Sequence, residues 1–99
     1  MSNTYMSERA LPERINERVK ALAKLIGGNV KRLREEKNWD RLDLSFYAYM
    51  SDKTVERIEA GEDYNPTMRT MISLSIAFGV PIELLLEEHR KLCEAGEGR

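Results

Sequence analysis

The sequence predicts an all-α domain, and three observations support that fold class. Apolar residues recur at helical spacing, as in the run Leu11, Ile15, Val19, Leu22 and Ile26, which advances by steps of three or four residues. Proline and glycine stand where helices begin and end. No segment alternates apolar and polar residues as a half-buried strand does. We therefore expect five or six helices and no sheet.

Length and composition limit the chain to one small domain without a strong net charge. Its 99 residues are 41% hydrophobic and 33% charged, which suffices for one core and a soluble surface and excludes wholesale disorder. Seventeen acidic residues against sixteen Lys and Arg leave a net charge of -1. A protein that coats nucleic acid by charge alone is therefore excluded, and any binding to DNA depends on where the charges lie.

The residue types that build metal, disulfide or catalytic sites are scarce. Cys93 is the single cysteine and His89 the single histidine, so disulfide scaffolds and zinc fingers are excluded. His89 has no catalytic partners in its polar surroundings, and Gly27-Gly28 lacks the spacing of a phosphate-binding loop. We expect no enzyme, no metal and no cofactor. Apolar runs are too short to span a bilayer and no signal peptide is evident, so we expect a cytoplasmic protein.

The first third of the chain predicts a tail followed by an amphipathic helix. Residues 1–10 show no apolar period and are expected to be a flexible tail. The apolar stripe then predicts a helix over 11–26 with Pro12 in its first turn. Gly27-Gly28 weakens the helix without forbidding it, so one bent helix or two short ones fit. The single helical domain spans 11–94, and residues 95–99 are expected to fray.

Two short helices joined by a tight turn follow. Asp40 and Asp43 have the spacing of a capping box, which predicts a helix that stops near Tyr49. Ser51 is a fresh N-cap whose hydroxyl can accept the backbone N–H of residue 53 or 54. The helix that it starts ends at Gly61.

Two more helices complete the domain. Asn65-Pro66 predicts the start of a helix that runs through Phe78 and closes at Gly79, and Pro81 opens the last helix.

These segments, taken in order over residues 26–86, resemble the Cro/repressor-type helix-turn-helix family, also called the xenobiotic-response-element family. The family's first helix and the start of its second are similar to IGGNVKRLREEKNWDRLDL, and its recognition helix is similar to MSDKTVERIEAG. Its closing pair of helices resembles NPTMRTMISLSIAFGVPIELL. The resemblance implies a lambda-repressor-like domain of five helices, here with the additional N-terminal helix of 11–26.

The resemblance also implies that the helix over 51–60 reads DNA. A helix fits the major groove and presents its outward side chains to base edges. Arg57 can pair with guanine, and Lys53 can touch guanine or a phosphate, while Asp52 and Glu56 can accept from cytosine. The alternative is an ordinary solvated helix face. The candidate contacts on this helix are Ser51, Asp52, Lys53, Thr54, Glu56 and Arg57.

Phosphate contacts are expected on either side of this helix. Arg41 occupies a position where the family usually carries a glutamine that contacts the DNA backbone. Asn65 lies at a helix start whose N–H groups can hold a phosphate, with Arg69 nearby. The acidic pair Glu62-Asp63 between them is expected to repel the duplex.

Three further features follow from the resemblance. Arg34 and Glu59 are expected to form an internal ion pair that fixes the angle of the reading helix. Tyr49 stands where the family usually has glycine, so it either carries a steric cost or the turn is built differently. Ser45 and Ser75 replace buried alanines, and we expect each hydroxyl to bond to a carbonyl of its own helix.

Apolar residues exceed what the family core needs. That core would contain Val30, Leu33, Leu44, Ala48, Met50, Val55, Ile58, Met71, Leu74, Phe78, Val80 and Leu85. The additional helix, a second copy of the chain that packs through its last helix, or both together must cover the rest. This surplus comprises Phe46, Ile72, Ile76, Ile82 and Leu86.

The sequence therefore predicts a sequence-specific transcriptional regulator, a homodimeric repressor that binds a palindromic operator in double-stranded DNA. The alternative is a protein-interaction module, such as an antitoxin that holds a toxin on the same fold. The acidic loop favours the alternative, whereas the face with Lys53 and Arg57 favours DNA.

Overall fold

The computed structural model describes residues 2–88, with side chains from residue 11 onward. Among these residues there is no strand, and the all-α class is confirmed. The predictions for His89, Cys93 and residues 95–99 lie outside the described part of the chain. The elements are α1 (Ser2–Glu36), α2 (Arg41–Tyr47), α3 (Asp52–Glu59), α4 (Met68–Phe78) and a closing 3-10 helix (Ile82–Leu86).

Helix α1 is continuous over 35 residues and passes through Gly27-Gly28. The additional helix expected at 11–26 is therefore the middle part of α1 rather than a separate element. The helix already begins at Ser2, within the segment expected to be a tail, and Pro12 lies inside it. Proline removes one backbone hydrogen bond from a helix, which is why the sequence pattern favoured a start at Pro12.

Helix α1 approaches the end of α3 most closely at Gly27. A Cβ atom at this position would lie 3.0 Å from the Glu59 carbonyl oxygen and closer still to that of Ile58. Only glycine allows the two backbones to come so near each other. The next residue, Gly28, has no such neighbour within 4 Å. The two glycines therefore have different roles although they are adjacent.

One apolar core joins all five elements. It includes every residue that the family resemblance placed there, with Met50 and Val80 only partly buried, and it adds Ile26 from α1. Its fully buried side chains fix how α1, α2, α3 and α4 pack. The largest of these are Leu44, Leu74, Leu85, Val30 and Val55.

Helix α4 begins two residues later than predicted. Its N-cap is Thr67, whose hydroxyl accepts the backbone N–H of Thr70 at 3.1 Å. The predicted cap, Asn65, instead gives its backbone N–H to the Asp63 carboxylate at 3.2 Å. That bond closes a turn in the loop, so Asn65 and Pro66 precede the helix rather than start it.

The 3-10 helix is fastened to α1 by one buried amide. Asn29 is 2% exposed, and its Nδ2 donates to the backbone carbonyls of Leu85 and Glu87, each at 2.8 Å. These bonds satisfy carbonyl groups at the end of the last element. The predicted last helix is thus a short 3-10 turn held by α1.

The surplus apolar residues remain largely uncovered by α1. Phe46 and Ile76 are each 74% exposed, whereas Ile72 and Leu86 are 45% and 43% exposed. Ile82 alone among the five packs against the core. Within the described chain, therefore, α1 does not cover the apolar surface on α2 and α4.

The two adjacent glycines provide a matched test of the contact between α1 and α3. We expect Gly27→Ala to destabilise the fold by about 2 kcal/mol, because its methyl group would overlap the α3 backbone. Gly28→Ala should stabilise it by about 0.5 to 1 kcal/mol, since alanine favours the helix and meets open space. Urea unfolding of both variants measures the difference. Equal effects would contradict the close approach at Gly27.

Candidate nucleic-acid interface

Two N-caps set the beginnings of α2 and α3. The Asp40 carboxylate accepts the backbone N–H of Asp43 at 2.8 Å, and the Asp43 carboxylate accepts that of Asp40 at 2.9 Å. The predicted capping box is therefore confirmed. The Ser51 hydroxyl accepts the backbone N–H of Thr54 at 3.1 Å, which starts α3.

The turn between α2 and α3 places a tyrosine in a left-handed conformation. Tyr49 has a φ of 55°, so of the two alternatives the tyrosine carries the steric cost. The Ser45 hydroxyl donates to the Leu42 carbonyl at 2.7 Å, as predicted. Ser75 does not bond to a carbonyl of its own helix as predicted. Its hydroxyl donates to the Val80 carbonyl, which lies beyond the end of α4, at 2.6 Å.

Helix α3 has one buried side and one polar side. Val55 and Ile58 are 0% and 3% exposed and belong to the core. Thr54 is partly buried, and its hydroxyl pairs with that of Ser51 at 2.8 Å, so it completes the cap. The residues that face solvent are Ser51, Asp52, Lys53, Glu56 and Arg57. The four charged ones alternate in sign along the helix.

The two cations of α3 lack intramolecular partners among the described residues. The ion pairs there involve Arg32, Arg34 and Arg41, and neither Lys53 nor Arg57 takes part. Both cations are consequently available to a ligand.

Arg34 and Glu59 lie in contact between α1 and the end of α3. The Nε atom of Arg34 donates to Glu59 Oε2 at 2.6 Å, and a second nitrogen donates to Oε1 at 3.1 Å. The side chains are 10% and 2% exposed. The hydrogen bond with Glu59 raises the pKa of Arg34 above its usual value, although burial opposes the shift. Arg34 also donates to the Trp39 carbonyl at 2.7 Å.

Arg41 joins this group rather than projecting only into solvent. Its Nε donates to Glu59 Oε1 at 3.3 Å, and half of its side chain stays exposed. The sequence pattern gave no sign of this contact, because the two residues are 18 positions apart. Arg41 also lines an open concavity that lies between the start of α2 and the start of α3. The other residues of its wall are Arg34, Asp40, Leu42 and Asp52.

The expected phosphate site at α4 is displaced along the chain. Asn65 and Arg69 are both exposed, but the first N–H groups of α4 belong to Met68 and Arg69, since the helix starts at Met68. The Asp63 carboxylate is turned toward the backbone of Asn65. Glu62 remains exposed in the same loop.

Comparison with known proteins shows the family. The model of the helix-turn-helix family matches residues 30–85, which is more than half of the chain, so the protein belongs to that family. The resemblance to the Cro/repressor type is thereby confirmed. The family match begins inside α1, so the part of α1 that precedes residue 30 extends beyond the matched domain. Family membership supports a DNA-binding regulator of transcription.

A solved structure has the same fold. The restriction-modification controller protein C.AhdI from Aeromonas hydrophila matches with a TM-score of 0.62 and 22% sequence identity. The match covers 66% of this chain and 97% of the controller protein. At this identity the likeness concerns the fold. No curated protein matches the sequence.

Metal clusters and membrane-spanning helices are both absent from the described part of the chain. No group of histidine, cysteine and carboxylate side chains there is arranged to hold a metal ion. No helix in that part of the chain is long and apolar enough to cross a membrane.

The buried ion pair predicts unequal effects of two glutamate substitutions. Glu59→Ala should destabilise the fold by about 3 kcal/mol, because it leaves Arg34 buried without its counter-charge. Glu36→Ala removes the partner of Arg32 in a surface pair at 3.1 Å and should cost under about 0.5 kcal/mol. Chemical denaturation of both variants tests this, and a Glu59→Ala loss as small as that of Glu36→Ala would refute it.

Proposed function

We propose that the protein is a sequence-specific, dimeric repressor that reads the major groove with α3. The observation that carries the proposal is the polar side of α3, which faces solvent while Val55 and Ile58 anchor the helix in the core. An α-helix with its side chains is about 10 to 12 Å in diameter, and the major groove is about 12 Å wide. Helix α3 therefore fits the groove with its charged residues foremost.

Specific binding follows from the alternation of charge on α3. Arg57 has the bidentate geometry that matches guanine, and Lys53 can reach a base edge or a phosphate. Asp52 and Glu56 accept hydrogen bonds from cytosine amino groups in one register. In other registers they face phosphates, which repel them, so they oppose binding to wrong sequences. Arg41, half exposed beside the start of α3, supplies a cation to the DNA backbone. Asn65 and Arg69 are proposed to contact the phosphates on the other side.

A second copy of the chain is proposed to cover the apolar side chains on α4 and the 3-10 helix. Ile72 and Ile76 on α4 are 45% and 74% exposed, and Leu86, which lies beside α1, is still 43% exposed. A two-fold dimer would bring two copies of α3 to successive turns of the same groove, about 34 Å apart. A palindromic operator is the DNA partner that such a dimer fits.

The second candidate function is a protein-interaction module, for example an antitoxin. The exposed apolar residues and the acidic loop around Glu62 favour it, because both suit a protein partner better than a duplex. An antitoxin of this kind can also bind DNA, so the two candidates differ mainly in what the apolar surface contacts.

Arg57 provides the direct test of base reading. Duplexes that bind the protein are selected from a random pool, and binding is measured by gel shift at two salt concentrations. Arg57→Ala should weaken specific binding by about 1 to 3 kcal/mol and relax the sequence preference. The matched control is Arg14→Ala, which removes the same charge from the exposed surface of α1. Equal losses in both variants would favour general charge attraction, and no shift at low salt would favour the protein-interaction module.

The dimer is tested by sedimentation equilibrium over a range of concentrations. Ile76→Asp should shift the protein to monomer while its helical circular dichroism is kept, because it places a charge in the proposed interface. Ile15→Asp is the matched control, since Ile15 is 51% exposed on α1 and outside that interface. A wild-type chain that stays monomeric at high concentration would contradict the dimer.

A further inference from the structure

Tyr49 occupies a backbone conformation that suits glycine. Its φ of 55° lies in the left-handed region, where a side chain with a Cβ atom crowds the backbone. Its backbone N–H makes only a long bond of 3.4 Å to the Phe46 carbonyl. The turn itself is closed by the next residue, since the Met50 N–H donates to the Ser45 carbonyl at 3.0 Å. Nothing in the turn requires a tyrosine.

Packing within the chain does not offset this cost. The Tyr49 side chain is 95% exposed, which is the highest value among the large hydrophobic residues of the described chain. The nearby Tyr47, by contrast, stacks on Trp39 with ring centroids 4.5 Å apart. A strained residue whose side chain packs on nothing points to a contact made outside the monomer.

The location of Tyr49 indicates which contact this is. It lies two residues before Ser51, so its Cα atom is within about 7 Å of the N-cap of α3. The same end of α3 carries the exposed Asp52 and Lys53. A tyrosine hydroxyl is one of the groups that bind phosphate oxygens in DNA complexes. With the start of α3 in the groove, Tyr49 would lie near enough to the groove's edge for an exposed phenol to reach a phosphate.

We propose that Tyr49 is a further DNA contact, with its hydroxyl donating to a phosphate oxygen beside the bases that α3 reads. The proposal rests on the proposed function and extends the interface from α3 to the turn that precedes it. The contact compensates in the complex for the steric cost that the free protein carries.

Substitution by glycine separates stability from binding. Tyr49→Gly should raise the melting temperature by a few degrees, because glycine adopts the left-handed conformation without crowding. The same change should weaken binding to the selected duplex about fivefold to tenfold. Tyr49→Phe keeps the ring and the backbone cost, so it should lower affinity by a similar factor without raising the melting temperature. Because the phenol is uncharged, neither variant should change the salt dependence of binding.

Asn38→Gly is the matched control, since Asn38 also has a positive φ, 59°, but lies in the loop before α2. It should leave DNA affinity unchanged. Wild-type affinity in both Tyr49 variants, while Arg57→Ala still weakens specific binding, would overturn the Tyr49 contact alone and would assign the phenol to a contact with a protein partner. A wild-type chain that binds no selected duplex would overturn the proposed function and this contact together.

Discussion

The buried ion pair between Arg34 and Glu59 is the interaction on which the rest of the structure depends. A single guanidinium binds the carboxylate at the end of α3 and the Trp39 carbonyl in the loop before α2. It thus ties α1 to both helices of the helix-turn-helix unit. Such a pair owes its favourable balance to good geometry, because taking both charges out of water is costly. The backbone contact at Gly27 brings α1 and α3 close enough for that geometry.

This arrangement divides α3 into a structural side and the side that is proposed to read DNA. Val55, Ile58 and Glu59 hold the helix against α1 and the core, whereas the four charged residues on the opposite side belong neither to the core nor to the ion pairs of the described chain. Arg41 belongs to both sides, since it bonds Glu59 and still exposes half of its side chain. The orientation of the proposed reading surface is therefore fixed before any ligand arrives, which lowers the entropic cost of binding.

The sequence predicted the features that depend on local patterns. The caps at Asp40 and Ser51 follow from spacing along the chain, whereas the apolar positions of the core follow from the family resemblance, and the structure confirms both. Features that depend on distant contacts were missed. Gly27-Gly28 left open one bent helix or two short ones, and no local pattern marked that α1 is continuous there with Gly27 against the backbone of α3. The Asn29 amide and the Arg41 contact to Glu59 join residues far apart in sequence, so no local signal marks them.

The central claim, that the ion pair aims α3 at DNA, is tested most directly by the ratio of specific to non-specific affinity in Glu59→Gln. Glutamine keeps the shape of the side chain and removes its charge, and circular dichroism identifies a temperature at which the variant is fully folded. The account predicts that the ratio falls by about tenfold or more, while low-salt binding to random duplex is retained. A fully folded variant with the wild-type ratio would contradict it.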